Sequence, residues 1–194
     1  MKIALTGILF SVSLISAFSQ SKTIDNGVIS IEIDSSKSRN SVYISHKNNA
    51  DTGVVENLSY WVYSKGNGQE YLSIQNSIGY NDFTSGSISN NNLQNRAVHK
   101  VSQPEIRDHS YLFANVDYTA PEGILNWPGN STPEQPLASY VDVNQNRQYE
   151  PNLGDYPFIR GDQCILKIEN DQGVRSSVAG SVGMEAIQYY FLFP

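Results

Sequence analysis

The chain has 194 residues with 13 Lys and Arg against 19 Asp and Glu, a formal net charge of −6. Without a basic cluster it has no footprint for phosphate backbones, which excludes a nucleic-acid partner as the working expectation. A lone cysteine rules out an intramolecular disulfide, so stability has to come from a packed core, with metal as the other candidate.

Residues 1–19 have the form of a secretory signal peptide: Lys2 supplies the positive start, Ile3 to Ile15 is mostly apolar, and Ala17-Phe18-Ser19 is a small-x-small cleavage site. The expectation is a secreted or extracellular protein, attached to a cell surface or free, with no membrane insertion after the signal is removed. No later segment reaches the length of about 18–20 apolar residues that a membrane span requires.

From Thr23 to Asp34 the sequence TIDNGVISIEID places Ile29, Ile31 and Ile33 on one side of a strand, preceded by an Asn26-Gly27 turn. Further strands are expected at Ser41–Ser45, Leu58–Ser64, Glu70–Gln75, Val98–Val101, Tyr111–Tyr118, Cys164–Ile168 and Ala186–Phe193. Spacers rich in Gly, Asn, Ser and Asp separate them. One helical turn is expected at Gln103–His109, capped by Ser102 with Pro104 in its first turn. The pattern predicts an all-β fold: an antiparallel β-sandwich-like domain with long loops and at most one short helix. Residues 20–194 read as a single β-rich domain. All eight prolines follow residue 100, so a division into two halves near that point is the competing organisation. The apolar ending IQYYFLFP implies either a strand central in a sheet or a chain truncated at its C-terminus. Cys164 reads as a small buried apolar group.

The segment YVDVNQNRQYEPNLGDYPFIRGD carries the chemistry. Asp142, Asn144, Asn146, Gln148, Glu150 and Asp155 offer the all-oxygen donor set that a hard cation such as Ca2+ takes from an irregular loop. Asp142, Asn144 and Asn146 fit positions 1, 3 and 5 of an EF-hand. Arg147 replaces the position-6 glycine and Leu153 the closing glutamate, and helices are missing on both flanks. A helix-free calcium loop and an Asx-rich turn without metal are the two readings of these residues.

The blocks EIRDHSYLF, PEGILNWPGNS, LASYVDVNQNRQYEPNLGDYPFIRGDQ, Asn170-Asp171 and GMEAIQYYFLF fall in order over residues 95–194. Together they resemble the N-terminal region of large secreted Bacteroidetes proteins that carry a C-terminal sorting domain for type IX secretion. GYNDFTSG, residues 79–86, resembles a diverged form of a further block. The loop pattern there, DVNGNGIYEP-x-x-GDYP, resembles the calcium-stabilised turns of dockerin-like modules. Asp142, Asn144, Asn146, Tyr149, Glu150, Pro151, Gly154, Asp155, Tyr156 and Pro157 match it, while Gln145 and Arg147 stand where it has glycines.

The resemblance implies a non-catalytic, adhesin-like extracellular or cell-surface module with a calcium-stabilised loop and a protein or glycan partner. Two alternatives come from the residues themselves. One is a carbohydrate-binding module using Trp61, Trp127, Tyr60 or Tyr156. The other is a polysaccharide hydrolase drawing its carboxyls from Glu150, Asp155 and Asp162. His46, His99 and His109 lack zinc spacing, and neither a nucleophile elbow nor a nucleotide-binding glycine loop is present. His109 reads as a core histidine beside Tyr111.

Overall fold

A computed structural model describes residues 21–34, 41–46, 49–55, 59–75, 82–88, 98–130, 137–172 and 180–194. The signal segment, residues 79–81 of the 79–86 block and the Tyr60 side chain lie outside these. Strands dominate and every ladder between them is antiparallel, as the all-β reading expects.

The first sheet is a meander of β1 (Ser21–Asp25), β2 (Ile29–Asp34), β3 (Ser41–His46) and β4 (Asn49–Val55). Asn26 closes its first turn, with Oδ1 accepting the backbone N–H of Val28 and Ile29. Next come β5 (Tyr60–Gly66) and β6 (Gln69–Gln75), a separate hairpin. Its turn places Asn67 at φ 53° and Gly68 at φ 77°, the paired left-handed residues of a type I′ connection.

The second sheet is built on β11 (Gln163–Asn170). Along one side it pairs over its whole length with β12 (Glu185–Leu192). Along the other, β7 (Thr84–Ser85) and β8 (His99–Ser102) lie end to end. Alternation along β11 then feeds two cores. Cys164, Leu166 and Ile168 pack with Val101, Ile106, Ile124, Trp127, Leu137 and Ile159, and Tyr189 and Phe191 of β12 join them. Ile165 faces the first sheet and meets Ile24, Ile31, Ile33, Val98 and Leu192. The result is a sandwich of two sheets, with the helices and the 137–159 segment covering the outer face of the second.

After β8 run α1 (Gln103–Leu112) and a four-residue turn of helix, α2 (Glu122–Leu125). The Glu105 carboxylate accepts both the backbone N–H and the hydroxyl of Ser102, the reciprocal cap that starts α1. The strand expected at Tyr111–Tyr118 is not there. Helix α1 continues to Leu112, and a turn follows in which Asn115 accepts Asp117 N–H and its carbonyl accepts Tyr118 N–H. The capped helix extends through Tyr111, which is left 81% exposed. Of the two alternatives raised for the apolar ending, the central strand is not formed: among the described residues β12 is the outer strand of its sheet. Its aromatics are covered by side-chain packing instead, Tyr189 stacking on Phe191 at 5.7 Å.

Two buried polar centres hold these layers in register. Lys167 and Glu169, two apart on β11, form an ion pair with both side chains nearly inaccessible. Gln188 donates to Glu169 and accepts the Tyr190 hydroxyl, and burial pushes the Lys167 ammonium down to about 7. At the far end of β11, Asp171 is fully buried. It accepts the hydroxyls of Ser73 (2.6 Å) and Ser181 (3.0 Å) and the backbone N–H of Val182, Gly183 and Met184. Ser73 belongs to β6, so this carboxylate fastens the β5–β6 hairpin to the second sheet. Burial by itself raises the pKa of Asp171, but the hydrogen bonds from Ser73, Met184, Ser181 and Val182 outweigh it and the net shift is downward.

Asp171→Ala strands five donors and is expected to cost about 3 kcal/mol or more, while Asp171→Asn, which keeps an acceptor oxygen, costs less. The folded pKa lies below the unfolded value of about 3.9. The wild-type contribution is therefore complete above that value and is lost as pH falls through the lower folded pKa. Urea melts from pH 7 to pH 2 should show an acid-dependent loss that is smaller in Asp171→Ala.

Candidate functional site

The site residues predicted from sequence converge in the segment between two short paired strands, β9 (Tyr140–Val141) and β10 (Tyr156–Pro157). This pairing clamps residues 142–155 at their base. Within the loop the side-chain oxygens turn inward on the backbone. Asp142 accepts Asn146 N–H at 3.2 Å through Oδ1 and Arg147 N–H at 2.7 Å through Oδ2. Asn144 accepts Asn146 N–H at 3.0 Å, and Asn146 accepts Gln148 N–H at 2.8 Å. The side-chain amides of Asn144 and Asn146 both donate to Glu150 Oε2. Asp142, Asn144, Asn146 and Glu150 thus form one cluster around Asn146.

Asp155 has a different place. It is fully buried, with Oδ1 accepting Val143 N–H at 2.8 Å and Oδ2 accepting Glu150 N–H at 2.8 Å. One carboxylate therefore ties both limbs of the loop together across its base. A 3-10 turn at Pro151–Leu153 and Gly154 at φ 102° lead into it. A side chain at Gly154 would meet the Phe113 ring at 3.0 Å, so this glycine serves both the left-handed backbone and the approach of α1.

His109 of α1 reaches the same base. Its Nε2 lies 3.2 Å from the Asp155 carbonyl, which can only accept, so that nitrogen carries the proton. The ring is buried against Phe113 and Tyr118, not against the exposed Tyr111. Burial lowers its pKa, opposed by the carbonyls of Asp155 and Pro151 and by the Asp155 charge. Tyr149 anchors the middle of the loop, donating its hydroxyl to the Ile124 carbonyl at 2.6 Å and packing edge-on against Tyr140. Burial, and then the Asp155 charge, raise the Tyr149 pKa. The contacts of His109 with Asp155 and of Tyr149 with Ile124 are long-range, and no spacing in the sequence marks them.

Gln145 and Arg147 adopt φ 61° and 64°. These are the positions where the resemblance has glycines, and the backbone keeps the left-handed path that glycines would follow. For an L-residue that path costs about 1–2 kcal/mol each.

By residue type alone the donors are the oxygens that a hard divalent cation takes. Two carboxylates and two amide side chains are grouped on an exposed loop with a rigid base, and Gln148 joins them through its N–H to Asn146. Among the described residues no group of three or more His, Cys, Asp or Glu is positioned to hold a metal, so any cation here depends on the asparagine and backbone oxygens.

Two aromatic candidates separate clearly. Trp127 is 3% exposed and gives its indole N–H to the Ser139 carbonyl at 3.0 Å, so it belongs to the core and offers no sugar platform. Tyr156 is half-buried beneath the loop, whereas Trp61 is 69% exposed on β5. Comparison with protein-family models, curated proteins and solved structures finds no match to this chain.

Arg147→Gly removes left-handed strain from an exposed side chain at a small entropic cost, about 0.5–1 kcal/mol. The expected outcome is a net stabilisation of up to about 1 kcal/mol, read as a higher denaturation midpoint at constant m-value. Arg147→Val, β-branched at the same φ, is expected to lower it.

Proposed function

We propose that the protein is a secreted, non-catalytic, adhesin-like β-module of the cell surface whose 142–155 loop is stiffened by calcium. One observation carries this reading. The backbone holds Gln145 and Arg147 in the left-handed region, and that unfavourable path groups the oxygens of Asp142, Asn144, Asn146 and Glu150 on one loop. In this reading those four residues and the Gln148 carbonyl are the ligands. Asp155 is the brace, since each of its oxygens already accepts a backbone N–H.

The cation supplies no reaction. It replaces amide N–H groups as the partner of Glu150 and offsets the repulsion between Glu150 and Asp142, and so adds stability to the folded loop. The support for a structural rather than catalytic role is the placing of the carboxylates. Asp155 is inaccessible and engaged, and Glu150 is held by two asparagines.

The test is thermal unfolding of the full chain in 10 mM calcium and in excess chelator. For a weak extracellular site with a dissociation constant of about 10⁻⁴ M, calcium is expected to add about 2.7 kcal/mol. Asp142→Ala should remove the difference between the two conditions, and should also lower the melt in chelator because the Asn146 and Arg147 N–H groups lose their acceptor. Equal melting in both conditions for the wild type would reject the calcium reading and leave a loop held by its own hydrogen bonds.

A further inference from the structure

The β5–β6 hairpin wears its apolar side outward. Residues opposite each other across an antiparallel pair share a face, so the register places Trp61 beside Ile74, Tyr63 beside Leu72 and Lys65 beside Glu70 on one side. Trp61 is 69% and Tyr63 49% exposed. The opposite side, turned toward the protein, carries Ser73 and Gln75, both buried, beside the half-buried Val62 and Tyr71. A hairpin placed by hydrophobicity alone would have the reverse orientation, and a slip of one residue would produce it.

The register is held against that slip by polar anchors. Ser73 donates to Asp171 at 2.6 Å. The Ile74 N–H donates to Asp82 Oδ2 at 3.0 Å, and Asp82 N–H donates to the Ile74 carbonyl at 2.9 Å. Leu72 N–H reaches the Gly180 carbonyl at 3.3 Å. Two buried carboxylates are thus committed to holding an indole and a phenol in water on a firm two-stranded base. The fold's own stability does not account for that arrangement.

Size and charge select the occupant. At their exposures the two rings offer roughly 200–300 Å², taking aromatic side chains at about 150–250 Å² each. A stable protein interface needs about 800 Å² on each side, so the patch falls well short of a protein partner. It suits the flat C–H face of one or two sugar rings. At the tip Lys65 and Glu70 pair with each other at 3.4 Å and Glu70 also takes the Tyr63 hydroxyl, so the face presents no net charge to an anionic ligand, and the remaining Lys65 donors and Glu70 lone pairs point to hydroxyls as partners.

We propose that the outward face of β5–β6 binds a neutral polysaccharide, with Trp61 and Tyr63 stacking on sugar rings and Lys65 and Glu70 meeting their hydroxyls. The site lies on a different hairpin from the 142–155 loop, so binding is expected with calcium or with chelator.

The full chain is run through native gels containing xylan, mixed-linkage β-glucan, galactomannan or the polyanion alginate, each with calcium and with chelator. Retardation by a neutral polysaccharide is expected, weakened at least about tenfold in Trp61→Ala and partly restored in Trp61→Phe, with melting temperature unchanged. Shielding of the exposed indole from acrylamide by the same polysaccharide gives a second reading on the wild type, independent of any variant. No retardation in any neutral gel overturns the proposal. So does retardation that Trp61→Ala retains, or binding to alginate alone that added salt abolishes.

Discussion

Strand β11 is the constraint on which the molecule depends. Seven of its eight residues are buried, it hydrogen-bonds on both sides, and each face supplies a different core. A strand so placed admits almost no register error, because a slip of one residue would exchange Cys164, Leu166 and Ile168 with Ile165, Lys167 and Glu169. The Lys167–Glu169 pair sharpens this selection. In the wrong register the two charges would enter the apolar cluster of Trp127 and Ile124 without Gln188, and burying an unpaired charge costs far more than burying a paired one. The pair contributes modest stability beside an apolar alternative of the same shape. Its larger effect is to penalise misalignment.

From this strand the polar organisation extends outward. Asp171, just past its end, fixes the β5–β6 hairpin, while Gln163 at its start donates to the Asp25 carbonyl of the first sheet. The core around Cys164, Leu166 and Ile168 links β11 to α1 and α2, and through Tyr149 and His109 these hold the 142–155 loop. The firm base of the loop is thus a joint consequence of core packing and of the loop's own Asp155.

Much of the sandwich was legible in the sequence, because alternation with period two is local. Ile31 and Ile33 are buried as the Thr23–Asp34 pattern implies, and β6, β11 and β12 fall within two residues of expectation. The helix was legible from Ser102 and Pro104 but not its length, since Tyr111 and Leu112 suit a strand as well as a helix end. Strand β4 escaped because Asn49–Val55 has no alternation, and β7, β9 and β10 are two residues each. The oxygen donors of the loop were legible from residue type and spacing. The division of labour between Asp142 and Asp155 was not, because it depends on burial and on which backbone N–H groups each carboxylate meets. The fates of Trp61 and Trp127 likewise differ only through tertiary placement.

The loop has an internal tension that bears on its chemistry. Two L-residues in the left-handed region work against folding at about 1–2 kcal/mol each. Against them stand the charge-assisted bonds from Asn146 and Arg147 N–H to Asp142, worth about 1.5–3 kcal/mol each. The backbone path therefore persists because a carboxylate at position 142 collects the amide groups that this path presents. The same path sets Glu150 on the other side of Asn146, so two negative groups are held near one another by neutral amides alone. A divalent cation among these oxygens relieves that repulsion, at the cost of turning the asparagine amides so that their oxygens face inward. On the proposed reading, calcium would compete with an already satisfied hydrogen-bond network, and weak affinity is the expectation. With glycines at 145 and 147, the same oxygens would be grouped without the backbone strain.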